Sequence, residues 1–265
     1  MSKRDSQGGA MPLKGEKSFW RRYSRFYPYL ERATPYRYLI QDTISFAVHP
    51  DPKVVCDLGC GAGALLVNYL KAFPSIQKAI AVDFCEEFLS FTRSRLKQEC
   101  PEFLRAGKVA FLLHDLRNPL PLHDNTLDVL LAGLVLPYIT SHNGRNGVGA
   151  LLGLLQEAHR VLREGGVFVW STPVQGVNFW HVFFASLVDM LDFHHPENLF
   201  YGPVLLFHAL SIQRKGKRGV YIFPSEQALW AMHEASGFSK LIVCRSLSNQ
   251  AFLIRAVKGN KTGER

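Results

Sequence analysis

One stretch of this chain combines acids and glycines at a spacing suited to ligand chemistry. Val54-Val55-Cys56-Asp57-Leu58-Gly59-Cys60-Gly61-Ala62-Gly63 passes from an apolar run through an acid into a glycine-rich turn. Glycine permits the sharp turn and lets a ligand lie against bare backbone. The loop also satisfies Gly59-x-Gly61-x-x-Ala64, the pattern of a nicotinamide-dinucleotide loop. A pyrophosphate, however, seeks a helix N-terminus free of carboxylates, and Asp57 stands two residues before the first glycine. A carboxylate there suits a ligand that carries an amino group. Asp83 closes the next apolar run twenty residues after Gly63, where it can accept two ribose hydroxyls, with Phe84 placed to pack on a purine. Asp115, followed by Leu116, ends a third run and is placed to meet an adenine amine.

The elements that must position these residues are legible as alternation. Apolar runs at 54–58, 79–82, 109–113, 127–133 and 167–171 read as strands, and the patterns at 64–73, 86–100 and 148–162 read as helices. Strands alternating with helices predict a parallel sheet covered on both faces. Ser225 is an N-cap candidate for a helix reaching Gly237, and two closing strands are expected at 241–243 and 251–257. Thr34-Pro35 reads as an N-cap and first-turn pair for a helix to about Ala47.

The set resembles the class I S-adenosylmethionine-dependent methyltransferases over most of residues 54–257. The resemblance takes in the Asp57-to-Gly63 loop, Asp83, His114-Asp115, and the run from Leu120 to Val129. It also includes Glu157 to Gly166 and the Ala235-Ser236-Gly237-Phe238 turn. It implies an α/β, Rossmann-like, doubly wound sheet of seven mostly parallel strands with helices on both faces. An N-terminal helical segment and a helical lid insertion would be added to that core. By the same resemblance Asp57, Gly59, Gly61 and Gly63 hold the methionine part of S-adenosylmethionine, Asp83 the ribose, and Asp115 with Leu116 the adenine. Tyr23 and Tyr27, on an aromatic N-terminal helix, are expected over the cofactor.

Domain limits follow: a tail at 1–16, a helical cap at 17–50, the cofactor-binding core at 51–173, a lid insertion at 174–224, completion of the sheet at 225–257, and a basic tail at 258–265. The lid is long, aromatic and apolar, which suits a hydrophobic or amphiphilic acceptor. Methyl transfer is an in-line displacement that depends on alignment, and a general base is needed only when the acceptor must lose a proton. The weak candidates for such a role are His181, His194 and Tyr138. A metal set built on Asp192, His194 and His195 is not favoured, so no metal is expected. Val135-Leu136-Pro137-Tyr138 lacks the leading Asn or Asp of amino-methylating nucleic-acid enzymes, which argues against a base amine as acceptor.

The chain has 265 residues, 47% of them hydrophobic and 20% charged, with a formal net charge of +9. This excludes disordered, collagen-like and disulfide-stapled classes. Residues 1–37 carry nine basic against three acidic side chains, whereas residues 38–213 carry twelve against sixteen. Arg214, Lys215, Lys217 and Arg218 form a second basic patch. Arginines among Trp20, Tyr23 and Phe26 resemble an interfacial helix, so an anionic membrane surface is an expected partner, and nucleic acid a lesser one. Five scattered cysteines without a CxxC pair read as reduced thiols, and no signal peptide or membrane span is visible, so a cytoplasmic location is expected. The competing functions are an RNA methyltransferase, a dinucleotide oxidoreductase and a non-catalytic cofactor-binding protein.

Overall fold

The computed structural model describes residues 13–24, 26–191 and 197–259. Three helices come first: α1 (Leu13–Ser24), α2 (Tyr27–Leu30) and α3 (Thr34–Phe46). The central alternation is β1 (Val54–Leu58), α4 (Ala64–Ala72), β2 (Lys78–Asp83), α5 (Glu86–Glu99), α6 (Pro101–Arg105), β3 (Val109–Leu113) and β4 (Leu127–Ala132). A 3-10 turn (Leu136–Tyr138) and a small hairpin of β5 (Ser141–His142) and β6 (Arg145–Asn146) lead to α7 (Val148–Val161) and β7 (Leu162–Pro173). The lid follows as α8 (Phe179–Ala185), α9 (Leu187–Met190) and α10 (Asn198–Lys217). The chain closes with α11 (Glu226–Ala235), β8 (Phe238–Ser246) and β9 (Ala251–Lys258).

The main sheet has the order β3-β2-β1-β4-β7-β9-β8. Its first five strands run parallel, while β9 pairs antiparallel with both β7 and β8. The order reverses beside β1, between β1 and β4, and a ligand in an open parallel sheet sits outside the strand C-termini at such a switch point. β1, β2 and β4 read as nearly continuous apolar runs because helices cover both of their faces. Two buried clusters result: one holds Leu58, Val82, Leu130, Phe168 and Trp170, the other Val55, Leu66, Leu70, Leu131 and Val169.

Several boundaries depart from the sequence reading. Thr34 is the first residue of α3 and Ala33 its cap, because the Thr34 hydroxyl and N–H both donate to Asp189 of the lid at 2.7 and 2.8 Å. Ser225 does cap α11, accepting from the Ala228 N–H at 3.2 Å. β7 extends well before Val167, running through Gly165-Gly166 with a register shift against β4. The apolar stretch and the basic run of the lid are one helix, α10, which carries Pro203 inside it. α1 begins within the stretch expected as a tail. Lys258 belongs to the sheet: its buried ammonium donates to Asn125 Oδ1 and to the carbonyls of His159 and Leu162, each at 2.8 Å. The aromatic face of α1 turns inward, with Trp20 packed against Tyr138 and Phe19 against His208 of α10. Trp20, Tyr23 and Phe26 thus pack against Tyr138 and His208 within the protein. All five cysteines are free thiols.

Candidate active site

β1 delivers Asp57 to its C-terminal end, and the turn after it takes three positive φ values, 63° at Gly59, 54° at Gly61 and 81° at Gly63. Gly59 is needed for space as well as conformation. A Cβ there would stand 2.4 Å from Val135 Cγ2, on the segment that leaves β4. The turn is pinned from β2 and α5. Gly61 N–H donates to Asp83 Oδ2 at 3.1 Å, and Thr92 Oγ1 donates to the Gly61 carbonyl at 2.9 Å. Cys85 N–H holds the other Asp83 oxygen at 3.0 Å.

Two cavities border this turn and a third joins them at Leu134. The first, about 30 Å³, is walled by the turn, Asp57, Tyr27, Glu31 and Tyr36. The second, about 70 Å³, is walled by Gly59, Gly61, Asp83, Phe84, Phe88, Asp115, Leu116, Arg117, Trp20 and Tyr27. The third, about 130 Å³, lies under the lid and is lined mainly by apolar groups from α2, α8 and α10 together with Tyr23, Tyr36 and Tyr138. Leu134 borders all three, at a φ of 50° that is uncommon for a side chain of its size. Ser171 Oγ accepts its N–H at 3.0 Å and holds it there.

The electrostatics of the first cavity are unbalanced. Burial, and then the Asp83 carboxylate, push Asp57 well above the usual carboxylate range, against a backbone hydrogen bond from Leu66. Burial pushes Asp83 up to about 6, opposed by N–H groups of Cys85, Gly61 and Phe84. Burial also raises Glu31, opposed by Arg95, which pairs with it across from α5. Two buried carboxylate oxygens, Asp57 Oδ2 and Glu31 Oε1, have no hydrogen-bond partner within the protein. An unpaired buried acceptor is costly, and two of them on one cavity fit a ligand ammonium with its three donors.

The positions of the expected residues can now be stated. Asp57, Gly59, Gly61, Asp83, Phe84, Asp115, Leu116 and Tyr27 line the two connected cavities; Gly63 lies behind them, packed on Thr92. Asp115 already accepts from the guanidinium and N–H of Arg117. Tyr23 lines the lid cavity instead of the cofactor side. Tyr138 stands between the second and third cavities, and burial raises its phenol well above the ordinary range, which keeps it a neutral phenol able to donate a hydrogen bond. His181 is exposed on α8 and lines none of the three; its Nδ1 meets Gln250 Nε2 at 3.2 Å. His194, with Asp192 and His195, lies outside the described residues. Glu31, Tyr36 and Leu134 were not found from sequence. The first two reach the site from the cap, and no local pattern marks them.

A family model described as a methyltransferase domain matches residues 50–199, more than half of the chain. The chain belongs to the methyltransferase domain family. S-adenosylmethionine is its cofactor, and the enzyme's orphaned acids, glycine turn and Asp83 fit that molecule's ammonium, backbone and ribose in turn. Bound here, the cofactor supplies a methyl group made electrophilic by a sulfonium. Among solved structures, the methyltransferase is similar to an S-adenosylmethionine-dependent methyltransferase from Thermotoga maritima. That match has 18% identity and a TM-score of 0.54 over 91% of this chain and 99% of that one. A second such enzyme, from Aquifex aeolicus, has 18% identity and a TM-score of 0.53 over 91% and 97% of the two chains. PigF, solved with S-adenosylhomocysteine, has 17% identity and a TM-score of 0.53 over 93% and 66%. At these identities the likeness is one of fold. A search of curated proteins finds no match.

Proposed function

We propose that this methyltransferase transfers its methyl group to a hydrophobic or amphiphilic small molecule held under the lid. The observation that carries this reading is the third cavity. Its walls include Phe179, Val182, Phe183, Leu205, Leu206 and Ala209, and it meets the cofactor cleft at Leu134 and Tyr138. Arg32, Asp189 and Asn198 of its wall are joined by hydrogen bonds into one polar cluster, an arrangement that suits an acceptor with one polar end. Transfer then rests on alignment and exclusion of water, which the aromatic walls supply. Tyr138, as a protonated phenol, can orient an acceptor oxygen or nitrogen by donating to it.

The test is binding of an apolar naphthalene-type fluorescent probe in the presence of S-adenosylhomocysteine. Wild type should bind it and Ala209→Trp, which fills the cavity, should not, while both keep the S-adenosylhomocysteine thermal shift. Tight retention of bulk transfer RNA on a filter, with no probe binding, would instead favour an RNA acceptor.

A further inference from the structure

Among the described residues, eight of the sixteen exposed large apolar side chains lie between Trp180 and Phe207, all within the lid. Val188 is 82% exposed, Phe200 74% and Phe207 65%. Surfaces of this kind on a soluble chain mark an interaction site. On α10, at about 100° per residue, Phe200, Pro203, Phe207, Arg214 and the following Arg218 fall within about 60° of one another. All five are exposed. Leu205, Leu206, Ala209 and Ile212 take the opposite side and line the lid cavity. One face of α10 therefore covers the acceptor cavity, and the other is an open stripe whose first half is apolar and whose second half is basic.

We infer that this outer stripe of the lid docks on an anionic lipid bilayer. The apolar half enters the boundary between headgroups and acyl chains, as the apolar face of an interfacial helix does, and the arginines meet the headgroup phosphates. The charge of the face supports a lipid occupant. The described acids of the lid, Asp189 and Glu197, are turned to Thr34 and Arg32 of the cap, which leaves the stripe without a carboxylate. A second copy of the chain fits poorly. Antiparallel pairing lays the apolar half of α10 on the basic half, and parallel pairing sets arginine against arginine. Among the described residues no helix is long and apolar enough to cross a membrane. A contact made by exposed arginines on headgroup phosphates is sensitive to salt. The inference goes beyond the acceptor proposed above and does not depend on it.

Co-sedimentation with phosphatidylcholine vesicles, and with vesicles that also contain phosphatidylglycerol, tests it at low and high salt. Wild type should partition onto the anionic vesicles at low salt and be released at high salt. Phe200→Ser/Phe207→Ser and Arg214→Glu/Arg218→Glu should each weaken that partition by about tenfold or more. Both are surface changes, and an unaltered S-adenosylhomocysteine thermal shift verifies their folding. Absence of wild-type binding, or binding that neither double variant weakens, would overturn the proposal. So would a dimer in light scattering that both variants dissolve.

Discussion

Asp57 shows most clearly how a residue here trades stability for function. Its Oδ2 is buried without a partner, and burial beside Asp83 raises its pKa, so the charged form of Asp57 is disfavoured in the apo protein. Asp57→Asn should weaken S-adenosylhomocysteine binding by roughly 10- to 150-fold, the equivalent of a lost charged hydrogen bond of about 1.5–3 kcal/mol. The same change should raise the apo melting temperature at pH 8, and calorimetry with and without ligand reads both effects. Asp83 carries a defined pH signature. Its pKa is about 6 in the fold against 3.8 for the free carboxylate, so the folded protein holds the extra proton between those values. Its contribution to stability accordingly falls as pH rises from about 4 to about 6 and stays low above that. A melting-temperature profile of the apo enzyme should show this fall, flattened in Asp83→Asn. The residues from Asp57 to Gly63, and Asp83 at the end of the next strand, were readable because acid and glycine spacing at strand ends is a local pattern. Glu31 was not, since it enters the cavity from the cap and only its orphaned oxygen reveals it.

Among the elements, the cap and the lid depend on each other. Thr34 gives its N–H and hydroxyl to Asp189, Arg32 reaches Glu197 at 2.6 Å and Asn198 at 3.2 Å, and Asn198 Nδ2 donates to the Asp189 carbonyl at 3.0 Å. These bonds close the rim of the lid cavity, whose wall includes Arg32, Asp189 and Asn198. Asp189→Ala orphans two donors of Thr34 and should cost about 1–3 kcal/mol. Limited proteolysis should then cut faster within residues 174–224, while S-adenosylhomocysteine affinity stays within about threefold of wild type, a shift under 1 kcal/mol. The core strands β1 and β3 were legible to the residue, because short apolar runs between helical patterns have one reading. The lid was not. Gly202 and Pro203 break the pattern of what is one helix, and the inward turn of the α1 aromatics is set by contacts with α10 nearly two hundred residues away.

At the scale of the whole molecule, the fold places an acid-lined cofactor cleft at the switch point of the sheet and an apolar chamber beside it, with Leu134, Tyr138 and Tyr36 on the walls of both. The net charge of +9 does not describe that centre, which is rich in carboxylates; exposed basic groups stand elsewhere, at Arg21, Arg22, Arg214, Lys217 and Arg218. The alternation of strands and helices made the architecture readable from the chain, whereas the acceptor chamber forms only when cap, β4 exit and lid converge. The central claim, transfer to an apolar acceptor inside that chamber, is tested most directly with S-adenosylmethionine labelled in its methyl group. The enzyme is incubated with this and a cell extract, and the label is then measured in the solvent-extractable, nucleic-acid and protein fractions. The account predicts label in the solvent-extractable fraction with wild type and its loss with Ala209→Trp. Label in nucleic acid or protein, or undiminished labelling by the filled-cavity variant, would contradict it.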